Sequence, residues 1–500
     1  MSLATVYTRA SQGMLAPLVT VEVFLSGGLP KFSIVGLPEA AVKESRDRVQ
    51  SALLSNRFRF PRGRVTVNLA PADLPKEGGG RFDLSIALGI LLASKQMPSV
   101  SLEQYEFLGE LSLSGSLKGI HGCLPGVRES RNACRICVVP KDNSHEASLV
   151  TDAKTLAAGH LSEVVSHFVG ETKLPAVSSS QSVEKPDYPD LSEVQGQATA
   201  KRALEIAAAG GHSLLMIGSP GTGKTMLASR LPGLLPELSN EEAIEVACVL
   251  SLTKNPLHQS NWKQRPFRAP HHPASAVALV GGGSYPKPGE VSLSHRGVLF
   301  LDELPEFKRH VLEVLREPME SGSITISRAN QQLDFPARFQ LVAAMNPCPC
   351  GYAGDPAQDC HCSQDQVDRY THKISGPLLD RIDIHLNVPK PPVHLFRQEI
   401  AKESQTQVVA KRVVAARDKQ HKRQQCLNAH LCHEHTVALD MSEKAERLLE
   451  KAMEKLLLSP RGHDRVLRLA RTIADLTDDD AITETHLAEA IQLRCLDRRT

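Results

Sequence analysis

The run Gly218-Ser219-Pro220-Gly221-Thr222-Gly223-Lys224-Thr225 has the residue types and spacing to enclose a chain of phosphates. It follows the apolar Leu214–Ile217 and precedes Met226–Leu231, which can continue as a helix. That is the strand, glycine loop and helix order a phosphate-binding loop requires. Glycines let backbone N–H groups turn inward around the β-phosphate, and the helix N-terminus adds partial positive charge. Lys224 would reach the β- and γ-phosphates, and the Thr225 hydroxyl would ligate Mg²⁺. The chemistry implied is binding of a nucleoside triphosphate, with ATP and Mg²⁺ as the expected pair.

Hydrolysis needs more than a cradle. Val298-Leu-Phe-Leu-Asp302-Glu303 is an apolar strand ending in two carboxylates. Such a strand delivers side chains into the crevice at the carboxyl ends of an open α/β sheet. Asp302 would complete the Mg²⁺ shell, and Glu303 would orient and deprotonate the attacking water. Ala343-Ala-Met-Asn346 is a second short strand ending in a polar residue. Asn346 either positions the lytic water between the carboxylates and the γ-phosphate or makes a turn before Pro347.

Two arginines follow. Arg381 stands among carboxylates in Gly376-Pro-Leu-Leu-Asp380-Arg381-Ile-Asp383. It reads as an arginine donated to a neighbouring subunit's phosphoryl group or as one half of a local Arg–Asp pair. After Ser459-Pro460, a helix start with serine as N-cap, Arg461, Arg465 and Arg468 share one face, and Val466, Leu469, Ala470 and Ile473 another. Arg461 is the expected sensor of the γ-phosphate; a solvated basic face is the alternative.

Cys348-Pro-Cys350 and Cys360-His-Cys362 bring four thiols within fifteen positions. Four thiolates suit a closed tetrahedral Zn²⁺ site of structural role; unligated or redox-active thiols are the other reading. Cys134 and Cys137 fit apolar packing. Cys426, His430, Cys432, His433 and His435 fit a polar loop better than a metal site.

These groups need an α/β scaffold, and the chain supplies one. Its 500 residues carry a net charge of only +2, so any nucleic-acid surface must be local. The N-terminus lacks a signal-peptide pattern, no apolar run could span a bilayer, and an odd eleven cysteines argue against a disulfide framework. A cytoplasmic protein with no membrane partner is expected. Strand-like runs at 18–24, 65–69 and 135–139 and helical patterns at 39–56 and 82–93 make an α/β region of 1–170. A Ser/Pro/Lys-rich linker covers 171–187. Strands and helices alternate over 188–392, predicting a parallel sheet flanked by helices, and 393–500 is helical and charged.

In this order the nucleotide-site elements resemble the AAA+ ATPases, which work as rings, commonly hexamers. The strings Arg265-Pro-Phe-Arg-Ala-Pro-His-His-Pro273, Gly281-Gly-Gly, Pro286-Lys-Pro-Gly-Glu290 and Leu301-Asp-Glu-Leu-Pro-Glu-Phe307 narrow the resemblance to the magnesium-chelatase-like group. That resemblance implies a P-loop core with a helical lid, Arg381 as the trans-acting arginine and Arg461 as the lid arginine. Gly322-Ser-Ile-Thr-Ile-Ser-Arg328 looks like the β-hairpin that projects into the ring channel of related motors, with Arg328 touching a threaded strand or a neighbouring nucleotide.

Upstream, Leu74-Pro-Lys-Glu-Gly-Gly-Gly-Arg-Phe-Asp83 and Phe107–Ile120 resemble the Lon-protease (ribosomal S5-like) domain. Gly80 falls at its nucleophilic serine and Leu124 at its lysine, so proteolysis has no starting point; Ser85 and Lys76 lie nearby. Fused in this way, the two modules resemble the ComM-type competence proteins over nearly the whole chain. The resemblance implies a hexameric cytosolic motor moving along branched or duplex DNA in natural transformation or recombination. Lys263, Arg265, Arg268, His271, His272, Lys287 and Arg296, interleaved with Trp262 and Phe267, form a basic and aromatic stretch that suits nucleic acid or a folded insertion. Lys411–Lys422 has the same two readings. An ATPase subunit driving metal insertion and an ATP-fuelled protease are the competing functions.

Overall fold

The computed structural model describes residues 2–36, 44–74, 76, 79–98, 102–178, 187–253, 262–283, 286–328, 331–356, 358–391, 404–456 and 458–498. The chain divides into two compact units. One comprises Met1–Glu184 with Asn240–Trp262 and Ser327–Phe335; the other comprises Lys185–Ser239, Lys263–Ile326 and Pro336–Thr500.

In the first unit, four strands lie in the order Ser2–Arg9, Leu18–Ser26, Arg64–Ala70, Lys31–Val35, with only the last pair parallel. Val19, Val21 and Val23, and Val65, Val67 and Leu69, alternate inward and are buried, the period of two that a half-covered sheet imposes. The helix Asp83–Ala93 covers that face, and ten of its 11 residues are buried. Gly89 permits the close approach, because a Cβ there would stand 2.5 Å from Val23 Cγ2. Tyr105–Phe107, Ile136–Pro140 and Thr155–Ala158 form a second, parallel sheet in this unit.

The expected elements are present with shifted ends. The helix Ser45–Ser55, with Glu44 at its N-cap, falls within the helix predicted over 39–56; residues 37–43 lie outside the described residues. Of the predicted linker, 179–186 lie outside them too. Its earlier part is anchored: Ala157 N donates to Pro175 O at 3.0 Å and Val177 N to Thr155 O at 2.9 Å. The helix Asn240–Ser251 also packs within this unit, where Arg131 Nη1 lies 3.1 Å from Glu241 Oε1 and Gly122 N donates to Ser251 O at 3.0 Å.

The second unit is built on five parallel strands in the order Phe267–Arg268, Val298–Leu301, Gln340–Met345, Leu214–Ile217, Ile384–Asn387. The three middle strands are buried along their whole length, as helix-covered parallel strands are. The helices Gln405–Gln424, Glu443–Leu456 and Pro460–Thr477 share this core through Val413, Leu449, Val466 and Ile473. Ser459 caps the last of them as predicted, its hydroxyl accepting from Gly462 N at 3.1 Å.

Candidate active site

The strand order explains why residues far apart in sequence meet. Gln340–Met345 lies between Val298–Leu301 and Leu214–Ile217, all running the same way. Their carboxyl ends therefore release Asp302, Asn346 and Gly218 side by side, the crevice where open α/β sheets bind ligands.

The loop leaving Leu214–Ile217 turns through Gly221 and Gly223, both left-handed at φ 79° and 85°, and enters the helix Lys224–Leu234. Gly218 has a steric reason to be glycine, because a Cβ there would sit 2.4 Å from Val388 O. Lys224 Nζ donates to Gly218 O at 2.7 Å, to Ser219 O at 3.0 Å and to Asn346 Oδ1 at 3.3 Å. Burial pushes the Lys224 ammonium below its ordinary range, while Asp302 and Glu303 pull the other way. Thr225 Oγ1 donates to Asp302 Oδ2 at 2.9 Å, so hydroxyl and carboxylate can share one divalent cation. Lys224, Thr225, Asp302 and Asn346 thus form one constellation.

Glu303 adopts a left-handed conformation, φ 52°. Its Oε2 lies 3.3 Å from Nδ1 of His272. Sequence reading gave His272 no role at this site. The available signal was position: it follows the edge strand Phe267–Arg268, whose carboxyl end opens on the same crevice.

Two residues after Asn346 the chain enters the cysteine loop. Cys348 Sγ lies 3.3 Å from Cys350 Sγ and 3.7 Å from Cys360 Sγ, and Cys350 Sγ lies 3.6 Å from Cys360 Sγ. All four sulfurs, Cys362 included, fall within 4.8 Å of one another. A tetrahedron with metal–sulfur bonds of about 2.3 Å has edges of about 3.8 Å, so the thiol spacing is close to that of such a centre. A Cβ on Gly351 would stand 2.8 Å from Pro220 Cδ, so this loop rests directly on the phosphate loop. Cys426, His430, Cys432, His433 and His435 form no such group among the described residues.

Arg381 and Arg461 come together elsewhere. With Arg465 and Arg468 they line a cavity of about 410 Å³ that also reaches Ser213 and Gln340. Ser213 immediately precedes the strand Leu214–Ile217, and Gln340 opens its neighbour, so the cavity lies at the amino end of the sheet. Four strand residues at about 3.3 Å each put it more than about 13 Å from the phosphate loop of the same chain. Arg461 therefore stands with Arg381 and not with Lys224. Arg381 does not pair with Asp380 or Asp383: its Nη2 lies 2.5 Å from Glu320 Oε1 and its Nη1 donates to Pro377 O at 2.7 Å. Asp383 is taken by Arg465 and by His212 Nδ1 at 3.3 Å. Burial alone would raise the Asp383 carboxyl, but Arg465 and His212 hold it well below the usual carboxylate range.

In the first unit the space beside Gly80 is already filled. A Cβ there would meet Glu110 Cγ at 2.3 Å, and Leu124 is fully buried. Ser85 Oγ donates to Phe107 O at 3.0 Å inside the buried helix, and Lys76 Nζ donates to Pro71 O. Neither group is presented as a nucleophile or base.

Part of each basic stretch is committed within the chain. Arg265 donates to Pro236 O and Arg296 O, Arg268 pairs with Glu290 at 2.6 Å, and Phe267 stacks on Phe300. In the helix Gln405–Gln424, Arg412 pairs with Glu205, Arg417 donates to Ala208 O and Lys419 pairs with Asp478. Residues 323–328 and 331–336 form the two strands of the expected hairpin; the Arg328 side chain lies outside the described residues.

Comparison with known proteins agrees with this geometry. Residues 190–395 match the family "Magnesium chelatase, subunit ChlI", 21–143 match "Subunit ChlI of Mg-chelatase" and 403–494 match "Magnesium chelatase, subunit ChlI C-terminal". The chain is 52% identical to "Competence protein ComM" of Haemophilus influenzae, covering 100% of this chain and 98% of that protein. It is 49% identical to the Escherichia coli protein YifB, with the same coverage. To the "Magnesium-chelatase 38 kDa subunit" of Rhodobacter capsulatus it is 29% identical over 34% of this chain and 53% of that subunit. No described helix is long and apolar enough to cross a membrane. With its phosphate loop, paired acids and parallel sheet in place, the chain belongs to the ComM branch of the magnesium-chelatase-like AAA+ ATPase family.

Proposed function

We propose that the chain is a Mg²⁺-dependent ATPase that assembles as a ring, a hexamer on the family pattern, and moves branched or duplex DNA during natural transformation or recombination. One observation carries the ring: Lys224 and its partners lie at one end of the sheet, and Arg381 and Arg461 at the other. A phosphoryl group held by Lys224 meets Arg381 or Arg461 only if a second copy presents its cavity.

In this reading Lys224 neutralises the β- and γ-phosphates, Glu303 takes the proton of the attacking water, and Asn346 orients that water. Thr225 and Asp302 would hold Mg²⁺, which would offset the negative charge of the phosphates. Arg381 and Arg461 of a neighbouring copy stabilise charge on the transferring group. Cys348, Cys350, Cys360 and Cys362 would hold Zn²⁺ as a structural staple, with no coordination position left open. The first unit is a degenerate Lon-like domain, and the filled space at Gly80 supports its having no peptidase activity. The reduced thiols of the cysteine loop suit the cytoplasm.

DNA is supported by the full-length match to a protein named for competence. The metal-insertion reading has a match covering only a third of the chain. The test is purified protein with ATP, Mg²⁺ and a labelled four-way DNA junction. The proposal expects DNA-stimulated hydrolysis and strand displacement; hydrolysis indifferent to DNA, with no strand moved, would sink the motor.

A further inference from the structure

We propose that Glu320 is the positioning residue of Arg381: it holds the guanidinium in the attitude needed to act on a neighbouring copy's phosphoryl group. This rests on the reading of Arg381 as an arginine that acts between copies.

The side chain of Arg381 is only 10% exposed, whereas that of Glu320 is 62% exposed. Two contacts fix the guanidinium plane, Nη1 on Pro377 O and Nη2 on Glu320 Oε1. Nε is buried and has no hydrogen-bond partner. A planar fork held at two points has its remaining donors fixed in direction, which an unpaired arginine on a flexible stem lacks. Since Pro377 lies four residues before Arg381, Glu320 is the contact from a separate element that fixes the plane.

The backbone of Glu320 is itself held. It sits in the last turn of the helix Arg316–Ser321, closed by left-handed Gly322, whose N donates to Pro318 O at 3.0 Å. Ser321 Oγ donates to Glu317 O at 3.0 Å and to Ser323 O at 2.8 Å, and Ala337 N donates to Gly322 O at 2.8 Å. The carboxylate therefore projects from the base of the hairpin, and Arg381 is aimed from a fixed anchor. With its carboxylate this exposed, the ion pair contributes little to stability. Its role is direction.

Mixed assemblies of the full chain test this. Lys224→Ala chains cannot hydrolyse but keep Arg381 and Glu320; Glu320→Ala chains keep the phosphate loop. Alone, Glu320→Ala should lose about 10- to 100-fold in kcat with KM for ATP little changed, as expected when a catalytic group is misplaced by about an ångström. Glu320→Asp should recover part of that loss. Mixed with Lys224→Ala chains, Glu320→Ala should regain activity above the sum of the two, as should Arg381→Ala under the same conditions. If Arg381→Ala is complemented and Glu320→Ala is not, Glu320 does not act through Arg381 and the inference is overturned while the inter-copy reading stands. If Arg381→Ala is not complemented, both are overturned.

Discussion

Nδ1 of His272 lies 3.3 Å from Oε2 of Glu303, so the carboxylate assigned to activate water already has a partner. Both side chains are about half exposed, and a pair of that kind is worth under about 1 kcal/mol. To reach a water, Glu303 must exchange this partner for it. His272→Ala should raise basal ATP turnover by up to about fivefold, the rate equivalent of that energy. Steady-state phosphate release measures it; a fall would make His272 an orienter of the base instead of a restraint on it.

Glu303→Gln keeps the shape of the site and removes its base. Hydrolysis should fall by at least about 100-fold. Nucleotide should still bind, because Lys224, Thr225 and Asp302 are untouched. Filter binding with slowly exchanging ATP, beside a turnover assay, separates the two effects. Undiminished turnover would take Glu303 out of its role.

Metal content tests the cysteine loop. The wild-type chain should carry about one Zn²⁺, and Cys348→Ser or Cys360→Ser should lose it. Because Gly351 abuts Pro220 and the loop begins two residues past Asn346, metal loss should also lower ATP turnover. Equal metal in all three proteins would exclude the site.

Asp383 sets a pH dependence. Its folded-state carboxyl is held below its ordinary value, so the stabilisation is present above the unfolded pKa, about 3.9, and fades as pH falls through the folded one. Asp383→Asn should cost about 3 kcal/mol at pH 7, the scale of a broken buried pair. The deficit should shrink below about pH 4, as the wild-type carboxyl protonates in the unfolded chain. Thermal midpoints of both proteins across pH 3–8 check this; a pH-independent gap would mean packing, not charge, is responsible.

The nucleotide half of the site was legible in the sequence because each part is announced locally. A glycine loop, an apolar strand ending in Asp302-Glu303 and another ending in Asn346 each carry their own signal, and parallel strand order does the rest. The unread parts depend on tertiary contact. Nothing in the linear order says that Glu320 meets Arg381, that Glu110 fills the space beside Gly80, or that the helix Asn240–Ser251 packs beside Cys123–Asn132. The basic stretches kept two readings for the same reason: Arg265, Arg268 and Arg412 look available in a string, and the fold gives each a partner within the chain. Charge in a sequence reports what a residue can hold, and only the fold reports whether it is already holding something.

The distance between Lys224 and Arg381 has a consequence for how such a protein is switched on. On the proposed reading each copy carries the front of one catalytic centre and the back of another, so a solitary chain owns no complete centre. An open assembly lacks one centre relative to a closed one, and specific activity becomes steeply dependent on protein concentration. A cell could then govern this ATPase by abundance or by a scaffold that gathers copies, with no separate inhibitor and no change to the nucleotide pocket.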